Sequence, residues 1–332
     1  MTQPEIVHLY DASSGDRVSI LVSQGFNCFS WTRELESGQS SESLIFALPG
    51  HESGTARASS GGIPILFPFP GRIPGTRFEW DGIEYELEPS DKFGNAIHGF
   101  VHTRPWKLID HGPTHASARF DSQTAEGELS RRWPGSFELT STYRLHGDSL
   151  RFELEAFNSG SIPLPFGLGL HPYFRSPIHA PDAEQETVTI PVERHWTLEK
   201  MLPTGRTEAD PFGLASGRPL ADLRLDDVFD HGSTETITGD HTPDASRAHV
   251  ESMRIATISG PLSRLEIRYD TDFPYCVAFT PPHREAICIE PYTCLPGSAA
   301  AGEAGRTTGL RILQPNQRWS TAVEYRWLAT EE

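Results

Sequence analysis

Three stretches of this chain place an ionisable side chain in an apolar frame beside proline or glycine. His171 follows a glycine-spaced apolar run and precedes Pro172, His98 precedes a glycine, and Glu290 ends a short apolar strand. Imidazole and carboxylate groups are costly in such surroundings unless they are paired or used. Both groups can transfer protons near neutral pH, so the three residues are candidates for acid–base chemistry.

The segment around His171 is predicted to hold the imidazole at the end of a strand. Gly167 and Gly169 leave bare backbone where another strand or a ligand can come close, and Pro172 stops the hydrogen-bond ladder. Taken by itself, His171 would be interpreted as a core histidine with an ordinary hydrogen bond, because a single histidine is a weak site signal. The stretches that hold His98 and Glu290 favour a functional interpretation.

The elements that must position these residues are predicted to be strands. The chain has 29 Gly, 27 Pro and only 3 Met, and almost no apolar residues recur at helical spacing. Residues 78–87 alternate apolar and polar types around an Asp-Gly pair, which predicts a hairpin with a tight turn. Residues 137–156 predict a second hairpin, and alternation returns at 265–269 and 321–327.

Many antiparallel strands with one buried face each are satisfied when two sheets pack together. We therefore predict an all-β protein built as a large antiparallel β-sandwich, with residues 1–332 forming one domain. The stretch 176–252 is rich in polar residues, Pro and Gly, and only 186–192 is strand-like. We interpret this stretch as loops of that domain, with 238–244 as an exposed loop.

Charge and composition restrict the partners. The net charge of −17 disfavours nucleic acid and anionic membrane surfaces, so a small molecule is the expected ligand. No signal peptide and no apolar run of about 20 residues are evident, which favours a cytoplasmic protein without a membrane span. The cysteines are sparse and predict free thiols: Cys28, Cys276, Cys288 and Cys294.

The three stretches together resemble the aldose 1-epimerase (galactose mutarotase) family. In that family a first histidine, a His-Pro-Tyr-Phe histidine and a late glutamate line one sugar pocket, and His98, His171 and Glu290 match them in the same order. The match extends over nearly the whole chain. The resemblance implies a very large antiparallel sandwich of the galactose mutarotase type, with the sugar cleft on the concave face of one sheet.

The resemblance also implies two residues that bind sugar hydroxyls. Arg72 matches a family arginine, although the residue before it is usually Asn and is Gly71 here. Asp226 stands three residues before Phe229, as a sugar-binding aspartate of the family does, and Asp227 is the alternative if the loop is shifted by one. Without the resemblance, this acidic stretch would equally well be a turn before a strand.

The chemistry implied is interconversion of the α and β anomers of a free aldohexose without a cofactor. A base removes the proton of the anomeric hydroxyl while an acid protonates the ring oxygen, and the same groups reclose the ring after a bond rotation. We expect Glu290 to be the base and His171, as an imidazolium near neutral pH, to be the acid. His98 is expected to stabilise developing charge.

Three alternatives remain open from the residues. His98 and His102 form a His-x-x-x-His that could bind a metal, but no glutamate follows within a few residues, so we expect no metal site and interpret His102 as a surface or hinge histidine. A non-catalytic carbohydrate-binding sandwich would lack the proton-transfer pair that His171 and Glu290 supply.

The third alternative is a hexose-6-phosphate 1-epimerase, which would need a compact basic patch. Candidate cations lie in or near the motif segments: Arg72, Arg77, Lys92, Arg104 and Arg175. We expect free hexoses to be the better substrates, because the net charge repels a phosphate at long range. A monomer or a homodimer is expected.

Overall fold

The computed structural model describes residues 5–34, 38–88, 91–125, 129–178, 185–232 and 253–329. Strands dominate these ranges, and no α-helix occurs within them. The strands are β1 (Ile6–Asp11), β2 (Asp16–Leu21), β3 (Asn27–Arg33), β4 (Ile65–Leu66), β5 (Arg72–Ile73), β6 (Arg77–Trp80), β7 (Ile83–Glu86), β8 (Ala96–Ile97), β9 (Lys107–Gly112), β10 (His115–Asp121), β11 (Phe137–His146), β12 (Ser149–Asn158), β13 (Leu164–Phe166), β14 (Gly169–Leu170), β15 (Tyr173–Arg175), β16 (Thr187–Thr189), β17 (Arg194–Glu199), β18 (Leu202–Ala209), β19 (Arg218–Pro219), β20 (Asp226–Asp230), β21 (Arg254–Ser259), β22 (Ser263–Tyr269), β23 (Tyr275–Phe279), β24 (Ala286–Tyr292), β25 (Arg311–Leu313) and β26 (Arg318–Ala329). Short 3₁₀ helices lie at Val101–Thr103, Leu129–Arg131, Leu214–Ser216, Leu220–Asp222 and Ser298–Thr308.

Within the described ranges, nine strands form the larger sheet, in the order β19-β16-β21-β22-β26-β12-β11-β10-β9. Its neighbours are antiparallel, and β11 and β12 pair from Phe137↔Asn158 to His146↔Ser149. Buried residues alternate with exposed or partly buried ones along β12 and β26, so one face packs inward and the other meets water. The strands and the hairpin predicted from alternation in this part of the sequence are confirmed.

The described strands also form an eight-stranded sheet, in the order β18-β17-β20-β23-β24-β14-β4, with β15 pairing beside β24. Alternate residues of β24 divide between its two faces. Ile287 and Ile289 belong to the main hydrophobic core, whereas Cys288 and Tyr292 belong to smaller apolar clusters on the other face. This sheet is therefore buried on both faces.

Aromatic contacts join the two sheets across the core. Phe174 of β15 lies 5.6 Å from Tyr325 of β26, measured between ring centroids. Residues of both sheets contribute to the main core, which extends in the sequence from Val7 to Trp327. The predicted all-β class and antiparallel sandwich are confirmed, and the assignment of residues 1–332 to one domain stays a prediction.

Smaller sheets complete the described structure: β1-β2-β3, β5-β8, β6-β7 and β13-β25. The hairpin predicted at 78–87 is confirmed, since β6 pairs with β7 and the turn residues Asp81 and Gly82 both have positive φ. All four cysteines are buried free thiols. Among the described residues, no helix has the length and apolar character needed to cross a bilayer.

Two predictions about local structure were wrong. Glu290 does not end its strand but lies fifth of the seven residues of β24, because Pro291 and Tyr292 continue the pairing with β23. The stretch 176–252 was interpreted as loops apart from 186–192, but its described residues also contribute β17 to β20 to the two large sheets. The exposed loop predicted at 238–244 lies outside the described residues.

Candidate active site

A cavity of about 310 Å³ opens on the face of the eight-stranded sheet that turns away from the main core. It is lined by the five residues that the sequence predicted for the site: Arg72, His98, His171, Asp226 and Glu290. These residues come from separate parts of the chain, so the fold brings together what the sequence keeps apart. Sugar-sized ligands bind in cavities of this scale, where a few polar groups fix their orientation.

His171 lies directly after β14, as predicted, and its backbone N–H donates to Pro64 O at 3.1 Å. The close approach predicted at the glycines is confirmed. A Cβ on Gly169 would lie 2.7 Å from the Tyr292 ring, closer than real Cβ contacts allow. The imidazole of His171 stacks on the Tyr173 ring with 4.6 Å between centroids. The Tyr173 hydroxyl also lies 3.5 Å from His171 Nε2, so Tyr173 helps to fix the position of the ring.

Glu290 projects from β24 into the floor of the cavity and is 1% exposed. The Tyr292 hydroxyl donates to its Oε2 at 2.8 Å. The other oxygen, Oε1, lies 3.4 Å from His171 Nδ1. The carboxyl group is thus oriented by one neighbour and leaves its second oxygen beside the imidazole.

His98 completes the set of three side chains. It has a φ of 68°, and its backbone N–H donates to Gly71 O at 2.8 Å. Its ring centroid lies 5.4 Å from that of His171. The Nδ1 atoms of His98 and His171 are buried and have no hydrogen-bond partner among the described residues. Buried polar atoms without a partner are unusual in a folded protein and are concentrated here.

His102 was interpreted as a surface or hinge histidine, and this was wrong. It is buried behind His98, with 6.2 Å between ring centroids, and lies in the 3₁₀ helix Val101–Thr103. Among the described residues, His98 and His102 do not belong to a group of three or more close metal-ligand side chains.

Arg72 also lines the cavity, and its Nε donates to Asp91 Oδ2 at 3.0 Å. Asn95 Nδ2 donates to the same Asp91 oxygen, so the carboxylate that orients Arg72 is itself held in place. Gly71 departs from the asparagine of the family pattern. Its φ is +64° and a Cβ would lie 2.7 Å from Pro296 Cγ, so this backbone favours glycine.

Alternation along β20 separates the two candidate aspartates. Asp226 lies on the same face as Val228 and lines the cavity. The side chain of Asp227 instead lies in hydrogen-bond contact with His195, with 2.9 Å between Asp227 Oδ1 and His195 Nε2. The structure therefore places Asp226 in the cavity. Its side chain reaches water at the mouth, and the protein on its other sides raises the pKa of the carboxyl by desolvation.

Burial changes the protonation of the pair on the floor. Desolvation lowers the pKa of His171 to about 3 and raises the pKa of Glu290 well above its usual value, although the bond from Tyr292 opposes the latter shift. Desolvation also lowers the pKa of His98 well below its usual value, and the neighbouring His171 adds to this. Both shifts disfavour the imidazolium that was expected at His171 and favour a neutral imidazole beside a protonated carboxyl group.

Sequence reasoning missed several residues of the cavity wall. Arg57 and His283 line it from loops, and neither carries a periodic signal that could have placed it there. Among the described residues, no carboxylate lies within ion-pair distance of the Arg57 guanidinium. Tyr173 and Tyr292 follow His171 and Glu290 by two positions, so strand alternation could have identified them as cavity residues.

Most of the cations named as a possible phosphate patch are used elsewhere. Arg77 forms ion pairs with Glu84 and Glu86 on the β6-β7 hairpin, and Arg175 forms one with Glu42. Arg104 lines a neighbouring cavity, and Lys92 does not line either one. Arg72 is the only one of the five that reaches the cavity containing the histidines.

The same residues fall within a family match. The sequence model for aldose 1-epimerase matches residues 51–326, which include the five predicted site residues that line the cavity. The chain belongs to this family. YphB of Escherichia coli (strain K12), a protein of uncharacterised function, is 33% identical over 127 residues, which cover 38% of this chain and 40% of YphB. YihR of the same organism, also uncharacterised, is 21% identical over 72% of this chain and 71% of YihR.

Solved structures of the family have the same fold. A galactose mutarotase-like protein from Clostridium acetobutylicum has a TM-score of 0.79 at 20% identity, with 99% of each chain covered. Galactose 1-epimerase from Lactobacillus acidophilus NCFM has a TM-score of 0.70 at 16% identity, with 99% of this chain and 100% of that chain covered. At these identities the likeness establishes the fold alone, and the chemistry must be argued from the cavity.

Proposed function

We propose that the protein is an aldose 1-epimerase that interconverts the α and β anomers of a free aldohexose by opening and reclosing the sugar ring. The observation that carries the proposal is the buried pair of His171 and Glu290, with 3.4 Å between Nδ1 and Oε1, on the floor of a sugar-sized cavity. A sandwich that only binds carbohydrate has no need of such a pair, whose burial costs stability.

The spacing of the pair suits the atoms that must react. The anomeric hydroxyl and the ring oxygen of an aldose are bonded to the same carbon, so a single bound ring presents both to neighbouring groups. An imidazole and a carboxyl group side by side can exchange protons with both oxygens in one bound position. No binding partner beyond the sugar enters this scheme, and no cofactor is expected.

The pair holds one proton in the resting protein. Since burial lowers the pKa of His171 and raises that of Glu290, this proton lies on the carboxyl group. Ring opening transfers the carboxyl proton to the ring oxygen and the hydroxyl proton to the imidazole. After rotation about the bond between the first two carbons, the reverse transfers close the ring on the other face.

In this scheme each group acts once as acid and once as base, and the first transfer is the reverse of the one expected from ordinary pKa values. His98, neutral because its pKa is lowered, donates a hydrogen bond to the oxygen on which negative charge develops. Arg72 and Asp226 hold the hydroxyl groups at the far side of the cavity.

Hexose-6-phosphate 1-epimerase is the second candidate, and Arg57 is the observation that favours it. This guanidinium lines the cavity and has no carboxylate of the described residues within ion-pair distance. A phosphate clamp commonly uses more than one cation, however, and Arg72 is already paired with Asp91. With a net charge of −17, the free sugar remains the favoured substrate.

Exchange NMR of the anomeric protons tests the proposal directly. We expect purified, chelator-treated protein to accelerate anomer exchange of glucose or galactose and to act more slowly on each 6-phosphate. No acceleration for any aldose would contradict the proposal, as would activity that is lost on chelation and restored by one divalent ion.

Arg57→Ala serves as the control for the second candidate. If free sugar is the substrate, this variant should change exchange of the free sugar little. A 6-phosphate rate at least about tenfold higher than the free-sugar rate, falling steeply with salt and abolished in the variant, would establish the phosphosugar instead.

A further inference from the structure

Three different metal-ligand types that the proposed reaction does not require together meet where His171 and Glu290 line the cavity. His171, Cys288 and Glu290 each offer one ligand atom, and these atoms all lie within 4.8 Å of one another. The proposed proton transfers use the histidine and the glutamate but not the thiol. Cys288 therefore needs a separate account.

Strand geometry explains why the three groups meet. Cys288 and Glu290 are two positions apart on β24, so their side chains leave the same face of the sheet. Tyr173 of β15 pairs with Cys288 of β24. This pairing brings His171, two residues before Tyr173, close to the side chains of Cys288 and Glu290. All three residues are buried, and the sandwich holds them in place without a ligand.

The distances are close to those of a tetrahedral zinc site. Zinc–nitrogen and zinc–oxygen bonds of about 2.1 Å separate two such ligand atoms by about 3.4 Å. His171 Nδ1 and Glu290 Oε1 are 3.4 Å apart. That Nδ1 is buried and lacks a hydrogen-bond partner among the described residues, so a lone pair or a proton there is unsatisfied. The Cys288 sulfur belongs to the same group, in which all ligand atoms lie within 4.8 Å of one another.

The donor set restricts the metal. One sulfur, one nitrogen and one carboxylate oxygen suit Zn²⁺ and other thiophilic divalent ions, whereas Mg²⁺ and Ca²⁺ prefer oxygen ligands. Three protein ligands leave a fourth position, and here that position opens into the cavity that His171 and Glu290 line. A water molecule or a sugar hydroxyl can occupy it.

We propose that His171, Cys288 and Glu290 form an inhibitory site for Zn²⁺ at the edge of the cavity that His171 and Glu290 line. Binding releases the thiol proton of Cys288 and the carboxyl proton of Glu290 to solvent, while neutral His171 donates a nitrogen lone pair. The metal occupies the positions through which the pair exchanges protons with a sugar. Zinc is thus a reversible inhibitor of this protein, and the site is distinct from any requirement for a metal in the reaction.

Cobalt provides a readout that does not depend on activity. Chelator-treated full-length protein titrated with Co²⁺ should develop a thiolate-to-cobalt charge-transfer band that saturates at one equivalent and disappears when Zn²⁺ is added. Absence of the band would overturn the site even if the protein proves to be an active epimerase. Presence of the band in a protein without epimerase activity would leave the site standing and the proposed function refuted.

Cys288→Ala should abolish the band and weaken zinc inhibition by at least about tenfold, because loss of a direct ligand costs at least as much as loss of a supporting one. Cys276→Ala is the matched control. Cys276 is equally buried on the neighbouring strand β23 but belongs to the main core, so this variant should keep both the band and the inhibition. A band that survives in Cys288→Ala, or zinc inhibition of equal strength in both variants, would refute the assignment.

If Cys288→Ala fails to fold, as judged by circular dichroism, His171→Asn and Glu290→Gln decide the matter. Each removes one ligand and leaves the thiol in place. We expect the band to be lost or weakened at least about tenfold in both. Retention of wild-type cobalt binding in either variant would exclude that residue and overturn the three-ligand site.

Discussion

The two large sheets of this protein use their strands in different ways. In the nine-stranded sheet, β12 and β26 alternate buried and accessible positions, and ion pairs such as Arg151–Glu153 lie on the outer face. In the eight-stranded sheet, β24 is buried at all seven positions, and β14 has only two residues. The charged residues of β12 and β26 lie at accessible positions, whereas β24 and the residue after β14 hold a carboxyl group and an imidazole away from water.

The difference suggests that the nine-stranded sheet mainly stabilises the protein, whereas the eight-stranded sheet carries the groups that can take part in chemistry. The nine-stranded sheet follows the alternating pattern closely, and the buried groups on β11 and β26 that lack a partner within the described ranges are hydroxyls. Around the eight-stranded sheet the groups that break the rules are ionisable, since β24 buries a carboxyl group and the neighbouring His98 and His171 leave buried nitrogens without partners among the described residues. Folded proteins tend to break such rules at functional sites and to compensate elsewhere.

The sharpest way to break the comparison is to remove the pair on the floor of the cavity. Glu290→Gln and His171→Asn should each lower turnover by at least about 100-fold, since acid or base assistance contributes about 3 to 5 kcal/mol of barrier. Exchange NMR measures the loss. Because the pKa of Glu290 is raised, its neutral form is the stable one, and Glu290→Gln should unfold at a temperature no lower than wild type.

Glu153→Gln is the matched control for that loss. Glu153 is a partly exposed glutamate of β12 that pairs with Arg144 and Arg151 on the outer face. Its removal should leave turnover unchanged and alter stability by no more than about 1 kcal/mol. Near-normal turnover in Glu290→Gln or His171→Asn would show that the residue concerned has no role in proton transfer.

A core substitution in the nine-stranded sheet should have the opposite profile. Leu154 of β12 is 1% exposed and lies in the main core. Leu154→Ala should lower the free energy of unfolding by about 2 to 5 kcal/mol through lost burial and the cavity left behind. Turnover per folded molecule should stay near wild type. Denaturant unfolding and exchange NMR at a temperature where the variant is folded check both parts, and a turnover loss above tenfold would show that the sheets are coupled.

A smaller effect is expected at the far side of the cavity. Arg72→Ala should raise KM by about 10- to 100-fold, the range for a hydrogen bond from a charged group, and lower kcat much less. Initial rates over a range of sugar concentrations give the two constants. A fall in kcat without a change in KM would contradict a purely binding role for Arg72.

The smallest effect is expected when the pH is varied around 6.5, the ordinary pKa of histidine. Above the His171 pKa of about 3 the imidazole is neutral, and below the raised pKa of Glu290 the carboxyl group is protonated, so the pair keeps one proton across the interval. In chelator-treated protein, kcat/KM should therefore show no inflection near 6.5, the ordinary histidine pKa. Acid should remove activity through His171 and alkali through Glu290. An inflection of kcat/KM near pH 6.5 would contradict this prediction and would indicate that His171 is an imidazolium in the resting enzyme.

The fold was predictable where the pattern of apolar and polar residues within one strand is sufficient to define it. Alternation along 137–156, 265–269 and 321–327 specifies strands with one buried face, and these are the strands of the nine-stranded sheet. The strands β16 to β20 were largely missed. Their signals are short or interrupted, and pairing with distant strands stabilises them more than their own residue types do.

The candidate site was predictable only in its residue types. Motif frames drew attention to His98, His171 and Glu290, and all three line the cavity. Their protonation was not predictable, because it depends on burial that packing between distant strands produces. Arg57 was missed as a cavity residue because its loop carries no periodic signal.

The division of β24 between two faces has a consequence for how the family can diversify. Because side chains alternate, inserting or deleting one residue would turn Ile289 toward the sugar and Glu290 into the sandwich interior. Such a change would cost activity and stability together, so β24 should tolerate insertions and deletions poorly. Arg57 and His283 lie in loops, where substitutions leave the sheet register intact. New substrate preferences should therefore arise more readily by changes in these loops than by insertions or deletions in β24.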